Sequence, residues 1–394
     1  MLNMKKNCIS KIKLTKWPIT NFKTLISLFK VYISGYWSWY GKKEITFIKK
    51  FAKIQNAKYV LTLTSATAGI ENALIALGIK AGDEVIVPAY TWISTATAVA
   101  RIGAIPVIVD IDSETLCISP SAIKEAITEK TRAIIPVHLF SALANMNEIM
   151  QIAKDNNLKV VEDCAHAHAA KYNDRGIGTI GDIGVFSFQQ TKLMCCGEGG
   201  ACTTNNIKLA DNIDRLNHIG YSVYSKETKT KEEFIYSKNI LSEFQLAILE
   251  EQCNTILKQT KTREENAKYL EELLKVHPAI KCQQTPNETT RRSFYNFVFM
   301  IDSSRLKEGK SKYDIISNLN KFGLKAENGW GIPIYEHEVW NLSENAYIKK
   351  ETTIAELKSK KEVITLPHTL LLAKKNDIKK AAQIIIDSVN QNIE

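Results

Sequence analysis

Lys192 sits in the stretch FSFQQTKLMCCGEGG, residues 186–200, with Phe186 and Phe188 before it and Leu193 and Met194 after it. An amine among apolar side chains is desolvated, which lowers its pKa and frees its neutral form to attack a carbonyl. A single lysine that snorkels out of an apolar turn is the commoner case, so the chemistry depends on what converges with it. Asp163 ends the apolar run of VVEDCAHAH, residues 160–168. A carboxylate at the carboxyl end of a strand can hold a proton on a heterocyclic nitrogen. His166 and His168, at alternate positions, offer a second option with Asp163: a metal set serving a hydrolase. The third element is TSATAG, residues 64–69. There a strand turns into a helix, so free N–H groups and the positive helix end could meet a phosphate, although Ser65 or Thr67 can equally serve as an ordinary N-cap.

Two glycine-rich runs read differently. GIGTIG, residues 176–181, has the spacing of a dinucleotide fingerprint, but a polar turn precedes it and a strand-like run follows it. The fingerprint needs a strand before and a helix after, so this is a glycine turn. GEGG, residues 197–200, lacks the Lys-Ser/Thr of a phosphate-binding loop. Cys195 and Cys196 are adjacent, a spacing that suits neither a disulfide nor a tetrahedral metal site, and they read as small apolar fillers.

The elements that must position these residues follow an alternating pattern. From Tyr59 the chain gives short Val/Ile runs (YVLTLTS, DEVIVP, IPVIVD, RAIIPVH, LKVVED) separated by helix-like stretches at 66–78, 94–102, 119–128 and 146–157. Strands separated by helices imply right-handed crossovers and a mainly parallel sheet, with functional groups at its carboxyl edge. IGVFSF and GGACTTN add two strands on either side of Lys192. After residue 240 the chain shifts to long helices (240–275), a strand YNFVFMID, a helix near 311–322 and a terminal helix DIKKAAQIIIDSV. This predicts a smaller second domain, with boundaries of 1–20, 21–250 and 251–394.

The 394 residues carry a net charge of +10 and 45% hydrophobic side chains. Lysines spread among acidic residues favour a solvated surface over a nucleic-acid site. Eight cysteines without a Cys-x-x-Cys pair read as reduced thiols of a cytoplasmic protein. Lys11, Lys13 and Lys16 interrupt any signal-peptide core. LISLFKVYISGYWSWYG, residues 25–41, is the most apolar stretch, and Lys30 within it favours an amphipathic or core helix over a membrane element.

A phosphate site at a helix start, a strand-end Asp and a Lys at an apolar-to-glycine transition together describe a pyridoxal-phosphate enzyme. From Trp17-Pro18 to its end, the chain resembles the DegT/DnrJ/StrS family of pyridoxal-phosphate-dependent sugar aminotransferases. The stretches that carry the likeness include TSATAGIENALIALG, GDEVIVPAYTWISTATAV, PVIVDIDSETL, VVEDCAHAHAA, GDIGVFSFQQTKLMCCGEGGACTTN, LSEFQLAILEEQ and LPHTLLL. The resemblance implies an α/β fold of type I, with a seven-stranded, mainly parallel sheet in a large domain and a smaller C-terminal α/β domain. It also implies roles: Lys192 carries the cofactor as a Schiff base, and Asp163 pairs with its pyridine nitrogen. Thr67, Ala68 and Ser187 bind its phosphate, Trp92 stacks on its ring, and His166 stands where many members have Gln. Asn239 would reach a partner subunit's phosphate, the family usually working as a homodimer with shared sites.

Three departures stand out. KNILSEFQ sets Asn239 one residue closer to its motif than usual and lacks the family's Arg; Ala169 replaces a usual Gly; Cys195-Cys196 replaces Thr-Ala. The implied reaction moves an amino group from glutamate or glutamine to a nucleotide-linked keto-sugar or a keto-cyclitol, in amino-sugar biosynthesis for a surface polysaccharide or a secondary metabolite. An aminohydroxybenzoate-synthase-like dehydratase of the same family is the alternative. The family branch that dehydrates sugars replaces the lysine with histidine, and Lys192 argues against membership of it. The acceptor would be read by loops such as 220–234 and 327–340.

Overall fold

A computed structural model describes residues 11–225, 234–343 and 346–394. The strands are β1 (Tyr59–Leu63), β2 (Glu84–Pro88), β3 (Ile105–Val109), β4 (Thr131–Ile134), β5 (Lys159–Asp163), β6 (Ile183–Ser187), β7 (Gly200–Thr204), β8 (Ile280–Cys282), β9 (Asn296–Ile301), β10 (Ile348–Lys349) and β11 (Val363–Pro367), with three shorter pieces making a separate small sheet. The large sheet runs β1-β7-β6-β5-β4-β2-β3-β10. It therefore has eight strands where the sequence pattern predicts seven. The extra one is the two-residue β10, which pairs in parallel with β3 at the edge and is too short to leave a periodic signal. Only β7 runs against its neighbours.

Val85, Ile86, Val87, Val107, Ile108, Val109, Val160 and Val161 are all fully buried, because helices cover both faces of the parallel strands. That double burial is why the strands read as unbroken apolar runs. The helix Ala66–Ala76 follows β1, and the helix Ser94–Arg101 follows β2. Consequently the ends of β1, β2, β5 and β6 open at one edge of the sheet. Because β7 is antiparallel, its first residue, Gly200, returns to that edge opposite both Leu63 and Ser187. A Cβ there would stand 2.7 Å from the Ser65 carbonyl carbon, so glycine lets the lysine-bearing loop close against the helix start.

A second apolar cluster surrounds the three-stranded sheet β8-β9-β11, built on Phe297, Phe299, Ile364 and Leu366 with Ile315, Ile378 and Ile385 from two helices. All its pairings are antiparallel, in contrast to the large sheet. Ile12 joins this cluster, and its N–H donates to the Phe322 carbonyl at 2.9 Å, so the N-terminal segment docks on the C-terminal part of the chain. Residues 1–10 of the predicted N-terminal segment lie outside the described residues. The stretch at 25–41 forms the helix Phe22–Ser34 and then a loop; the helix buries only Ser27 and Val31 and leaves Phe22, Leu25, Phe29, Tyr32 and Ile33 exposed. No described helix is long and apolar enough to cross a membrane.

Candidate active site

A cavity of about 450 Å³ opens at the carboxyl edge of the large sheet. Of the residues singled out in the sequence, Thr67, Trp92, Asp163, His166, Ser187 and Lys192 line it. Ala68 and Asn239 do not. The Ala68 N–H is already donated to the Ser65 hydroxyl at 3.2 Å, so the N-cap uses the group expected to meet a phosphate and leaves the first-turn groups around Thr67 for that task. The Asn239 side-chain oxygen accepts the Thr64 hydroxyl at 3.5 Å, and its N–H donates to the Asn217 carbonyl at 3.0 Å.

Lys192 is carried by a looped excursion between β6 and β7. Its N–H donates to the Gln189 carbonyl at 2.9 Å, and the loop neck closes through Phe188 N–H to the Gly199 carbonyl at 2.7 Å. Burial lowers the Lys192 amine from its ordinary 10.5 to about 8, although the Asp163 carboxylate pulls it up. The ammonium stands 4.5 Å over the ring of Tyr295, whose hydroxyl lies 2.9 Å from that of Thr191. Asp163 is fixed by the Thr95 hydroxyl at 2.9 Å and the Ala165 N–H at 3.2 Å. Burial nevertheless raises its carboxyl above the ordinary value, against the pull of those donors and of Lys192. A buried carboxylate still short of partners suits a cationic N–H arriving from the cavity.

His166 accepts the Phe140 N–H on Nδ1 at 3.1 Å, which leaves its proton on Nε2, and its ring stacks 4.1 Å from that of Tyr295. Burial, with Lys192 next, holds its pKa well below 6.5, so it is neutral. Trp92 is 47% exposed on the cavity wall, 5.2 Å from the Trp330 ring and 5.8 Å from His337. Glu327 and Trp330, which also line the cavity, fall in the 327–340 loop expected to read the acceptor, whereas Thr95 and Tyr295 were not singled out in the sequence. Thr95 carried only a weak signal, the Ser/Thr-rich TWISTATA after β2, and Tyr295 comes from a distant part of the chain with no local motif.

Asp163, His166 and His168 do not form a metal set. Nδ1 of His166 is taken by Phe140, and Nε2 of His168 binds the Ser187 carbonyl at 2.9 Å. The one convergent group of such ligands among the described residues is His138, Glu162 and Cys164. It is a structural knot: the Glu162 carboxylate accepts the N–H groups of Gly178, Ile180 and Gly181 at 2.7–3.0 Å and faces Nε2 of His138 at 3.2 Å. Burial alone would raise the Glu162 carboxyl, but His138 and these amides outweigh it and hold it below its ordinary value. The GIGTIG turn thus cradles a carboxylate of its own chain.

The chain resembles several characterised proteins. The L-glutamine:2-deoxy-scyllo-inosose aminotransferase of Streptomyces fradiae is 37% identical over 306 residues, covering 74% of this chain and 71% of that one. The L-glutamine:scyllo-inosose aminotransferase of Streptomyces griseus is 36% identical over 73% and 70% of the two chains. Among solved structures, 3-amino-5-hydroxybenzoic acid synthase superposes with a TM-score of 0.88 at 27% identity, covering 97% of this chain and all of that one. The sequence profile of the DegT/DnrJ/EryC1/StrS aminotransferase family matches residues 23–385, and the chain belongs to that family as an aminotransferase.

Proposed function

We propose that this protein is a pyridoxal-phosphate-dependent aminotransferase that takes its amino group from glutamine and gives it to a keto-cyclitol, on the way to an amino-cyclitol of a secondary metabolite. The observation that carries the reading is the pairing of Lys192, with its amine lowered to about 8, and the buried, under-partnered Asp163 on one cavity. Glutamine and keto-cyclitol follow from the names of the Streptomyces relatives. When bound, pyridoxal phosphate would supply the electron sink for breaking a bond at the amine-bearing carbon.

The chain's own residues do the rest. Thr67, Ser187 and the N-terminus of the helix Ala66–Ala76 would hold the phosphate. Asp163, oriented by Thr95 and Ala165, keeps a proton on the ring nitrogen. Trp92 covers a ring face, and neutral His166 presents Nε2–H as a donor. At pH 7 roughly a tenth of a lysine amine with a pKa near 8 is neutral. Lys192 can therefore take a proton from the substrate carbon and return it, with the Tyr295 ring steadying its cationic form. The exposed apolar face of the helix Phe22–Ser34 supports a homodimer as the working form.

The test is a half-reaction screen. The enzyme is loaded with amine from glutamine, and recovery of the starting absorption band is followed with a panel of keto-cyclitols and nucleotide-linked keto-sugars. Recovery with a keto-cyclitol is expected. Recovery with nucleotide-linked sugars alone would sink the acceptor assignment, and a Lys192→Ala variant that still turns over would sink the mechanism.

A further inference from the structure

Glu327 lines the cavity on the side of Tyr295 and Trp330. Its backbone is rigidly held: its N–H donates to the Thr365 carbonyl and its carbonyl accepts the Thr365 N–H, both at 2.9 Å. Two residues on, Gly329 adopts φ +65°, and a Cβ there would stand 2.3 Å from the Tyr90 hydroxyl. That same hydroxyl accepts the Trp330 N–H at 3.4 Å. The segment is therefore pinned at both ends. The exposed Glu327 carboxylate has no hydrogen-bonding or ionic partner among the described residues, and its charge helps to lift the pKa of Tyr295, after burial, the dominant cause.

The other carboxylate at the rim, Glu198, belongs to the phosphate end, because Gly200 two residues later packs on Ser65 and Ala66. Glu327 lies instead where the cavity meets an outer cleft bordered by Lys11, Lys13, Lys16 and Lys325. None of these lysines pairs with it.

Both substrates of the proposed reaction must present a neutral hydrogen-bond donor away from the reacting carbon: glutamine its side-chain amide, a cyclitol its ring hydroxyls. We propose that Glu327 selects both by charge. Its carboxylate accepts the amide N–H of glutamine and ring hydroxyls of the keto-cyclitol in turn, and repels the side-chain carboxylate of glutamate. This rests on the glutamine-to-cyclitol reading above and deepens it. At separations of about 5–7 Å and an effective dielectric near 20, like-charge repulsion weakens binding by about two orders of magnitude before screening, which at an exposed carboxylate reduces it to about one.

The experiment measures the rate of amine loading of the holoenzyme by glutamine and by glutamate, from the change in the cofactor band, for wild type, Glu327→Gln and Glu327→Lys. Wild type should favour glutamine by about tenfold or more. Glu327→Gln should compress the ratio to roughly threefold or less by speeding glutamate, and Glu327→Lys should invert it. As a check that needs no variant, added salt should speed loading of wild type by glutamate and leave loading by glutamine unchanged. A wild-type enzyme indifferent to the two donors, a ratio retained in Glu327→Gln, or a ratio that collapses only because glutamine slows would each overturn the proposal. Loading by neither donor would instead overturn the proposed function itself, and lack of acceptor discharge would leave the donor ratio readable.

Discussion

Replacing Lys192 by Met should make the cofactor-free protein more stable while abolishing its activity. The fall of the amine from 10.5 to about 8 means that its charged form is worse off in the fold than in the unfolded chain. At 1.36 kcal/mol per pH unit this is roughly 3 kcal/mol. Lys192 is partly open to the cavity, so solvent screening trims the figure to roughly 2–3 kcal/mol. The attraction of Asp163 already acts against burial in the lowering to about 8 and is not subtracted again. Met keeps the length and most of the packing of the lysine stem, so the gain reports the charge. The sign with pH follows from a depressed basic group: between about 8 and 10.5 the unfolded chain holds the proton and the folded one does not, so wild-type stability rises with pH across that window. Below about 8 the full penalty is present. Urea unfolding of the two cofactor-free proteins should show Lys192→Met ahead by roughly 2–3 kcal/mol at pH 7 and by about 1 kcal/mol at pH 9.5. An equal or lower stability of the variant at pH 7, or an advantage that does not shrink with pH, would refute a desolvated lysine. A catalytic group kept at a cost to stability is what an activated amine requires.

Ala169 occupies the left-handed region at φ 62° and is fully buried, so Ala169→Gly relieves strain but loses a methyl group and gains chain entropy when unfolded. These effects nearly cancel, and the variant should lie within about 0.5 kcal/mol of wild type. Ala73→Gly, in a buried helix interior, should cost about 2 kcal/mol; equal denaturation midpoints for the two would contradict the strain argument. If the exposed apolar face of the helix Phe22–Ser34 joins two copies, Leu25→Glu with Phe29→Glu should convert a dimer into a monomer in light scattering. A wild-type monomer would remove that assignment.

The parts of the fold that were legible in the sequence are those with strong local signals. β1 to β5 announce themselves as Val/Ile runs because both faces are buried, and Asp163 and Lys192 stand out because each ends or interrupts an apolar run. The two-residue β10 has no periodicity to read. Ala68 does not line the cavity, and a helix start alone does not tell which N–H groups its N-cap has already used. Tyr295 reaches the cavity through tertiary packing that no local spacing reports, and within the 327–340 loop nothing in the sequence told which residues, Glu327 and Trp330, would face the cavity. The histidine pair behind Asp163 mimicked a metal motif by spacing alone. One nitrogen of each ring is spent on a backbone group, Nδ1 of His166 on Phe140 and Nε2 of His168 on Ser187, and the pair does not converge with Asp163, a fact that only the surroundings reveal.

The reversal of β7 has a consequence for how the lysine loop can change over time. Residues 188–199 leave and re-enter the sheet side by side, joined at the neck by Phe188 and Gly199, and Gln252 grips both the N–H and the carbonyl of Cys195 at 2.9 and 2.7 Å. The loop is a self-contained insert whose attachment points do not depend on the side chains between them. Because Gln252 holds Cys195 by its backbone, the buried Cys195 and the half-buried Cys196 can be exchanged for side chains of similar size without shifting the register of β6 and β7, and so without moving the hydroxyl of Ser187 or the glycine at 200 that frame the cavity.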